Sequence, residues 1–79
     1  MDHETLGKRL RYARELRGLS ACSLSTTVGL SQSVVGQIER GESTAPRTDT
    51  MIKLAKQLDV DISWLLTGVG ETPTMDDVA

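Results

Sequence analysis

Seventy-nine residues at 8.6 kDa admit one domain, since two independent cores do not fit in so short a chain. Hydrophobic residues make up 38% and charged residues 25%, too balanced for a disordered chain, and the formal net charge of −2 by itself argues against a nucleic-acid binder. One cysteine, one histidine, no metal-ligand spacing and no glycine-rich phosphate loop leave no inventory for an enzyme, a disulfide framework, a metal site or a cofactor. No apolar run approaches the roughly 18 residues of a membrane span, and the expected setting is a reducing cytoplasm.

The pattern is helical throughout. Leu6, Leu10, Ala13 and Leu16 recur at helical spacing among Lys8, Arg9, Arg11, Arg14, Glu15 and Arg17. Gly18 followed by Leu19 reads as the stop of that first helix. Ser20 suits an N-cap for a second helix over about Ala21 to Val28, broken by Gly29 and Leu30. Ser31 then caps a third helix, about Gln32 to Arg40, that turns Val35 and Ile38 inward and ends at Gly41. The stretch Glu42 to Arg47 is a loop. Thr48 caps a fourth helix with Asp49 in its first turn and Met51, Ile52, Leu54, Ala55 and Leu58 on its buried side. Asp61 caps a short fifth helix carrying Ile62, Leu65 and Leu66, closed by Gly68. The expected fold is all-α, a compact five-helix bundle over residues 1–68. Residues 69–79 read as a flexible acidic tail or the start of a linker.

Function is concentrated between Ala21 and Arg40. Two helices separated by a short turn around Gly29, with Leu24, Val28, Leu30, Val35 and Ile38 between them, suit a steep crossing. The outward face of the third helix holds Gln32, Ser33, Gly36, Gln37 and Arg40. A merely solvated face more often carries Glu and Lys, whereas a glutamine amide pairs in bidentate fashion with adenine in a major groove.

At this point the sequence resembles the five-helix DNA-binding domain of lambdoid phage repressors and Cro proteins and their XRE-type bacterial relatives, a group with a helix-turn-helix formed by the second and third helices. The resemblance rests on L-x-x-x-R-x-x-R-G-L-S (Leu10 to Ser20), V-G-L-S-Q (Val28 to Gln32), I-E-R-G (Ile38 to Gly41), the A-P-R loop, L-A-K-Q-L-D-V (Leu54 to Val60) and W-L-L-T-G (Trp64 to Gly68). It implies base contacts from Ser31, Gln32, Ser33 and Gln37, with Val34 beside them against a thymine methyl. It implies backbone or minor-groove contacts from Arg40, Ser43, Thr44 and Arg47. Arg14 and Glu39 match a partly buried ion pair joining the first helix to the third, and Ile62, Leu65 and Val69 match a dimer contact. The expected activity is that of a transcription regulator, a repressor that binds a palindromic double-stranded DNA operator as a homodimer, with no cofactor, small-molecule ligand or membrane partner. The alternative is an interaction or antitoxin-like module on the same fold with weak or no DNA binding, supported by the acidic balance and by Ala21, which replaces a usual phosphate-contacting Gln.

Other departures and single residues carry their own expectations. Ser25 stands where the pattern usually has Ala and must satisfy a hydroxyl at the helix contact. Gly36 sits mid-helix at a cost of roughly 1 kcal/mol relative to Ala; it either lets the third helix approach DNA closely or marks a position that contacts nothing. The basic cluster Lys8 to Arg17 reads as a solvated face, with Lys8 and Arg11 in reach of flanking phosphate. Cys22 reads as a small half-buried residue, although the first turn of a helix favours a thiolate; Trp64 reads as core. The charge is uneven: residues 1–47 hold seven Lys/Arg against five Asp/Glu, and residues 48–79 hold two against six. The acidity lies away from the reading face, which implies weak non-specific binding and dependence on a dimer and a matched site.

Overall fold

The computed structural model describes residues 5–42, 47–70 and 72, and every regular element among them is a helix. These are α1 (Leu6–Leu16), α2 (Ala21–Thr27), α3 (Val34–Glu39), α4 (Thr48–Leu58) and α5 (Ile62–Thr67). The expected five-helix, all-α architecture is the observed one. Local chemistry sets most of the boundaries. The Thr5 hydroxyl accepts the Lys8 N–H at 3.2 Å, that of Ser20 accepts the Ser23 N–H at 3.0 Å, and the Asp61 carboxylate accepts the Ser63 N–H at 2.9 Å, so α1, α2 and α5 each start on a side-chain cap. At the end of α1 the Gly18 N–H bonds the Glu15 carbonyl and the Leu19 N–H the Arg14 carbonyl, with Gly18 at φ +72. That paired closure needs a left-handed residue, which only glycine adopts without strain. The end of α4 uses Asp59 at φ 56 instead.

Two expected starts move. The third helix begins at Val34 rather than Gln32, and Ser31 is not its cap: the Val34 N–H bonds the Ser31 carbonyl at 3.1 Å, making a tight turn that carries Gln32 and Ser33 ahead of the helix. Thr48 is the first residue of α4 rather than its cap; Arg47 holds the capping position with no side-chain bond.

Leu10, Ala13, Leu24, Val35, Ile38, Met51, Leu54, Ala55, Leu58, Trp64 and Leu65 form a single buried cluster fed by all five helices. At roughly 25 cal/mol per Å² of apolar surface, this burial is the main favourable term for so small a fold. Trp64 lies within it as expected, its ring edge-on to Tyr12 at 6.2 Å. α1 packs on α3 and α5, α2 on α3, and α4 on α5. α3 is thus seated from two sides and keeps one face outward.

Candidate nucleic-acid interface

The pair α2–α3 is locked by Ser25. This residue is fully buried; its hydroxyl donates to the Ala21 carbonyl at 2.9 Å and accepts the Val35 N–H at 3.0 Å. One of the orphan donors at the start of α3 is therefore satisfied from α2, which is why α3 does without a cap of its own. The Leu30 N–H returns to the Ser25 carbonyl at 2.8 Å, so the turn after α2 and the start of α3 hang on one residue. Gly29, at φ +81, allows that turn.

On this support Ser31, Gln32, Ser33 and Gln37 are all exposed. The first three sit on the turn before α3 and Gln37 one turn into it, a cluster of neutral hydrogen-bonding groups at the N-terminal end of the helix. Val34 is half-buried and packs on the core. Cys22 is exposed rather than half-buried, and its thiol lies 3.7 Å from Gln32 Oε1, a weak bond. At the other end of α3, Arg40 and Arg47 are exposed. Arg40 is bound by Glu42, with Nε to Oε2 at 2.8 Å and Nη2 to Oε1 at 3.3 Å. Ser43 and Thr44 lie outside the described residues.

The opposite side of α3 is held to α1. Arg14 Nε donates to Glu39 Oε2 at 2.6 Å and Nη2 to Oε1 at 3.0 Å, a two-pronged pair, while Nη1 bonds the Leu19 carbonyl at 2.8 Å. The bond to Glu39 raises the Arg14 pKa above its ordinary value against the opposing effect of burial. Below this pair the two backbones nearly touch. A β-carbon on Gly7 would fall 2.6 Å from the Ile38 carbonyl oxygen and 2.7 Å from that of Glu39.

Lys8 and Arg11 are exposed as expected, but the other helix 1 cations leave the solvated face. Arg9 is only 5% exposed and donates to the Leu65 and Leu66 carbonyls, both at 2.9 Å. Arg17 donates to the carbonyls of Leu58, at 2.7 Å, and Asp59, at 3.2 Å. Each neutralises the carbonyl end of a distant helix, where a cation is favoured. Arg11 is paired with Glu15 at 3.1 Å. Sequence patterning has no signal for these caps, because the partners are backbone carbonyls about 40 to 57 residues away.

A polar, exposed turn and helix, mounted on a second helix crossing below it, match a family profile described as helix-turn-helix over residues 10–65. The chain belongs to the helix-turn-helix family. Among its relatives is the HTH-type transcriptional regulator for conjugative element SXT of Vibrio cholerae, 35% identical over 68 residues, 86% of this chain. This chain spans only 31% of that regulator's length. Among solved structures, the restriction-modification controller protein C.AhdI from Aeromonas hydrophila superposes with a TM-score of 0.73 at 37% identity, covering 82% of this chain and 97% of that one. The DNA-binding domain of the P22 C2 repressor (1–76) superposes with a TM-score of 0.76 at 27% identity, covering 95% and 97%.

Away from the helix-turn-helix, one of the three expected dimer contacts fails. Leu65 has 0% exposure and is sealed in the core of its own chain, so it cannot meet a second copy. Ile62 is half-buried and Val69 is 71% exposed. Ile62 borders an apolar groove of about 330 Å³ between α4 and α5, lined also by Ile52, Ala55, Lys56, Asp59 and Val60. Ile52 and Leu66 are exposed as well. Helical periodicity could not separate Leu65 from Leu66, since α5 is under two turns long and apolar on most of its circumference.

Proposed function

We propose that this chain is a sequence-specific transcription regulator, a repressor that binds double-stranded DNA by placing α3 and its leading turn in the major groove. The observation that carries this reading is the cluster of exposed neutral groups, Ser31, Gln32, Ser33 and Gln37, on a turn and helix locked from behind by Ser25 and by the Arg14–Glu39 pair. A rigid support matters because bidentate reading of a base edge tolerates little angular error. The relatives are transcription regulators rather than enzymes, and the activity proposed is occupancy of a promoter with no catalytic step.

The functional unit is a homodimer reading half-sites about 10 to 10.5 bp apart. Its support is the α4–α5 groove. Apolar Ile52, Val60 and Ile62 are flanked there by Lys56 and Asp59, opposite charges that cross-pair when one patch meets its own copy about a two-fold axis. Exposed Val69 extends the apolar surface available to such a contact.

Selection of bound duplexes from a random pool, followed by titration at two salt concentrations, tests the reading. A palindromic motif and a steep loss of affinity with salt are expected. On the selected site, Gln32→Ala and Gln37→Ala should each cost about 1–3 kcal/mol and relax preference at single base positions, whereas Arg47→Ala should weaken all sequences alike. No binding at low salt, or equal losses on selected and random duplexes for the glutamine variants, would instead favour an interaction module on this fold.

A further inference from the structure

A guanidinium lies where the outward face of α3 has no side chain. A β-carbon on Gly36 would fall 2.9 Å from Arg40 Nη1 and 3.8 Å from its Cζ. The Arg40 side chain therefore runs back along the helix by one turn, toward the end that carries Ser33 and Gln32, in the direction helix geometry favours for long side chains. Glu42 closes on the Nε–Nη2 edge of the guanidinium with two bonds. Of the five N–H groups, that engagement uses one on Nε and one on Nη2. The second Nη2 proton and one of the two on Nη1 form the far edge, a pair of parallel donors that matches the O6 and N7 acceptors of guanine in a major groove.

We propose that Arg40 is a base-reading residue that recognises guanine, admitted to the reading face by Gly36 and held in its pose by Glu42. This reverses the expectation of a backbone contact for Arg40. It rests on the assignment of α3 to the major groove. Charge separates the two roles. A phosphate brought to this guanidinium would also approach the Glu42 carboxylate, an unfavourable pairing of like charges. A guanine edge is neutral and meets no such opposition. Position 36 also has a use under this assignment: any side chain there would occupy the space the guanidinium fills.

The test compares wild type with Arg40→Ala, Glu42→Gln and Gly36→Ala in selection from a random duplex pool and in competition titrations at fixed salt. The wild-type motif should contain a guanine column in each half-site that becomes featureless in Arg40→Ala while the other columns persist. Preference for guanine there should fall by roughly 5- to 150-fold, the range of one bidentate contact. Glu42→Gln and Gly36→Ala should lower it part of the way. If Arg40→Ala keeps every column and loses affinity equally on all duplexes, with a salt slope smaller by about one, Arg40 is a phosphate anchor and the assignment is wrong. A wild type that enriches no motif would overturn the operator reading as well, whereas an intact motif in Arg40→Ala overturns this inference alone.

Discussion

Two arginine–glutamate pairs flank α3 with similar bond geometry and opposite surroundings. Arg14 and Glu39 join α1 to α3 with side chains 13% and 8% exposed, whereas Arg40 and Glu42 lie two residues apart at 60% and 55%. In the first pair both charges have largely left water, so each depends on the other, and the pair ties α3 to α1. In the second both charges stay solvated, so the pair adds little to stability but restricts where one guanidinium points. The same two residue types therefore build the mount on one side of the helix and shape the exposed surface on the other. Burial decides which.

The largest effect should come from breaking the buried pair. Glu39→Ala leaves Arg14 enclosed without its carboxylate and should cost about 3 kcal/mol. For a domain of this size that lowers the melting temperature by roughly 12 °C or more, read by circular dichroism. An unchanged melting temperature would show that the pair does not hold α3, and the contrast with Arg40–Glu42 would collapse. Gly7→Ala strikes the same junction without touching charge. Its new methyl meets the Ile38 and Glu39 carbonyls, which belong to backbone and cannot rotate away, so α1 and α3 must separate at a cost of about 2 kcal/mol.

Ser25→Ala should follow at about 1 kcal/mol, because the Val35 N–H is then buried with no acceptor. Its effect on DNA binding should exceed its effect on melting. The hydroxyl fixes the start of α3, and the exposed glutamine and serines sit directly on that start. Parallel melting and duplex titrations check this, and equal sensitivity of the two would mean that Ser25 is only a packing residue.

What the sequence carried and what it did not divide along the same line. Features set within one or two turns of chain were legible: the helical stripes, the caps at Ser20 and Asp61, the stops at Gly18 and Gly41, and the outward face of α3. The motif I-E-R-G with the upstream arginine also pointed to Arg14 and Glu39. Features set by partners far along the chain were not. Arg9 and Arg17 look like surface cations until α5 and the end of α4 are seen to present bare carbonyls to them. The close approach at Gly7 has no local signal, because the carbonyls against it belong to α3. The start of α3 is not legible either: a serine at position 31 is a plausible cap, and nothing local reveals that Ser25, ten residues from Val35, supplies the bond instead. Net charge is a weak guide for a related reason. It sums over the chain, whereas most of the described arginines of the first half are already bonded to carbonyls or carboxylates within the fold.

The smallest effect on stability belongs to the exposed pair. Arg40→Ala should leave the melting temperature unchanged, since both side chains are solvated. It should still move one observable in the free protein. The hydrogen bond from Arg40, and then its charge, hold the Glu42 carboxyl below the ordinary carboxylate range. A group lowered on folding favours the folded state above its unfolded pKa, and that contribution fades as pH falls through the folded value. The pairing is therefore complete at neutral pH and is lost only in acid. A carboxyl titration followed by NMR should show a depressed Glu42 midpoint that returns to the ordinary range in Arg40→Ala. Gly36→Ala should move it the same way by a smaller amount, because the new methyl displaces the guanidinium from its place over α3. A midpoint indifferent to both changes would mean that the guanidinium is not held, and Arg40 would then have no fixed pose from which to read a base.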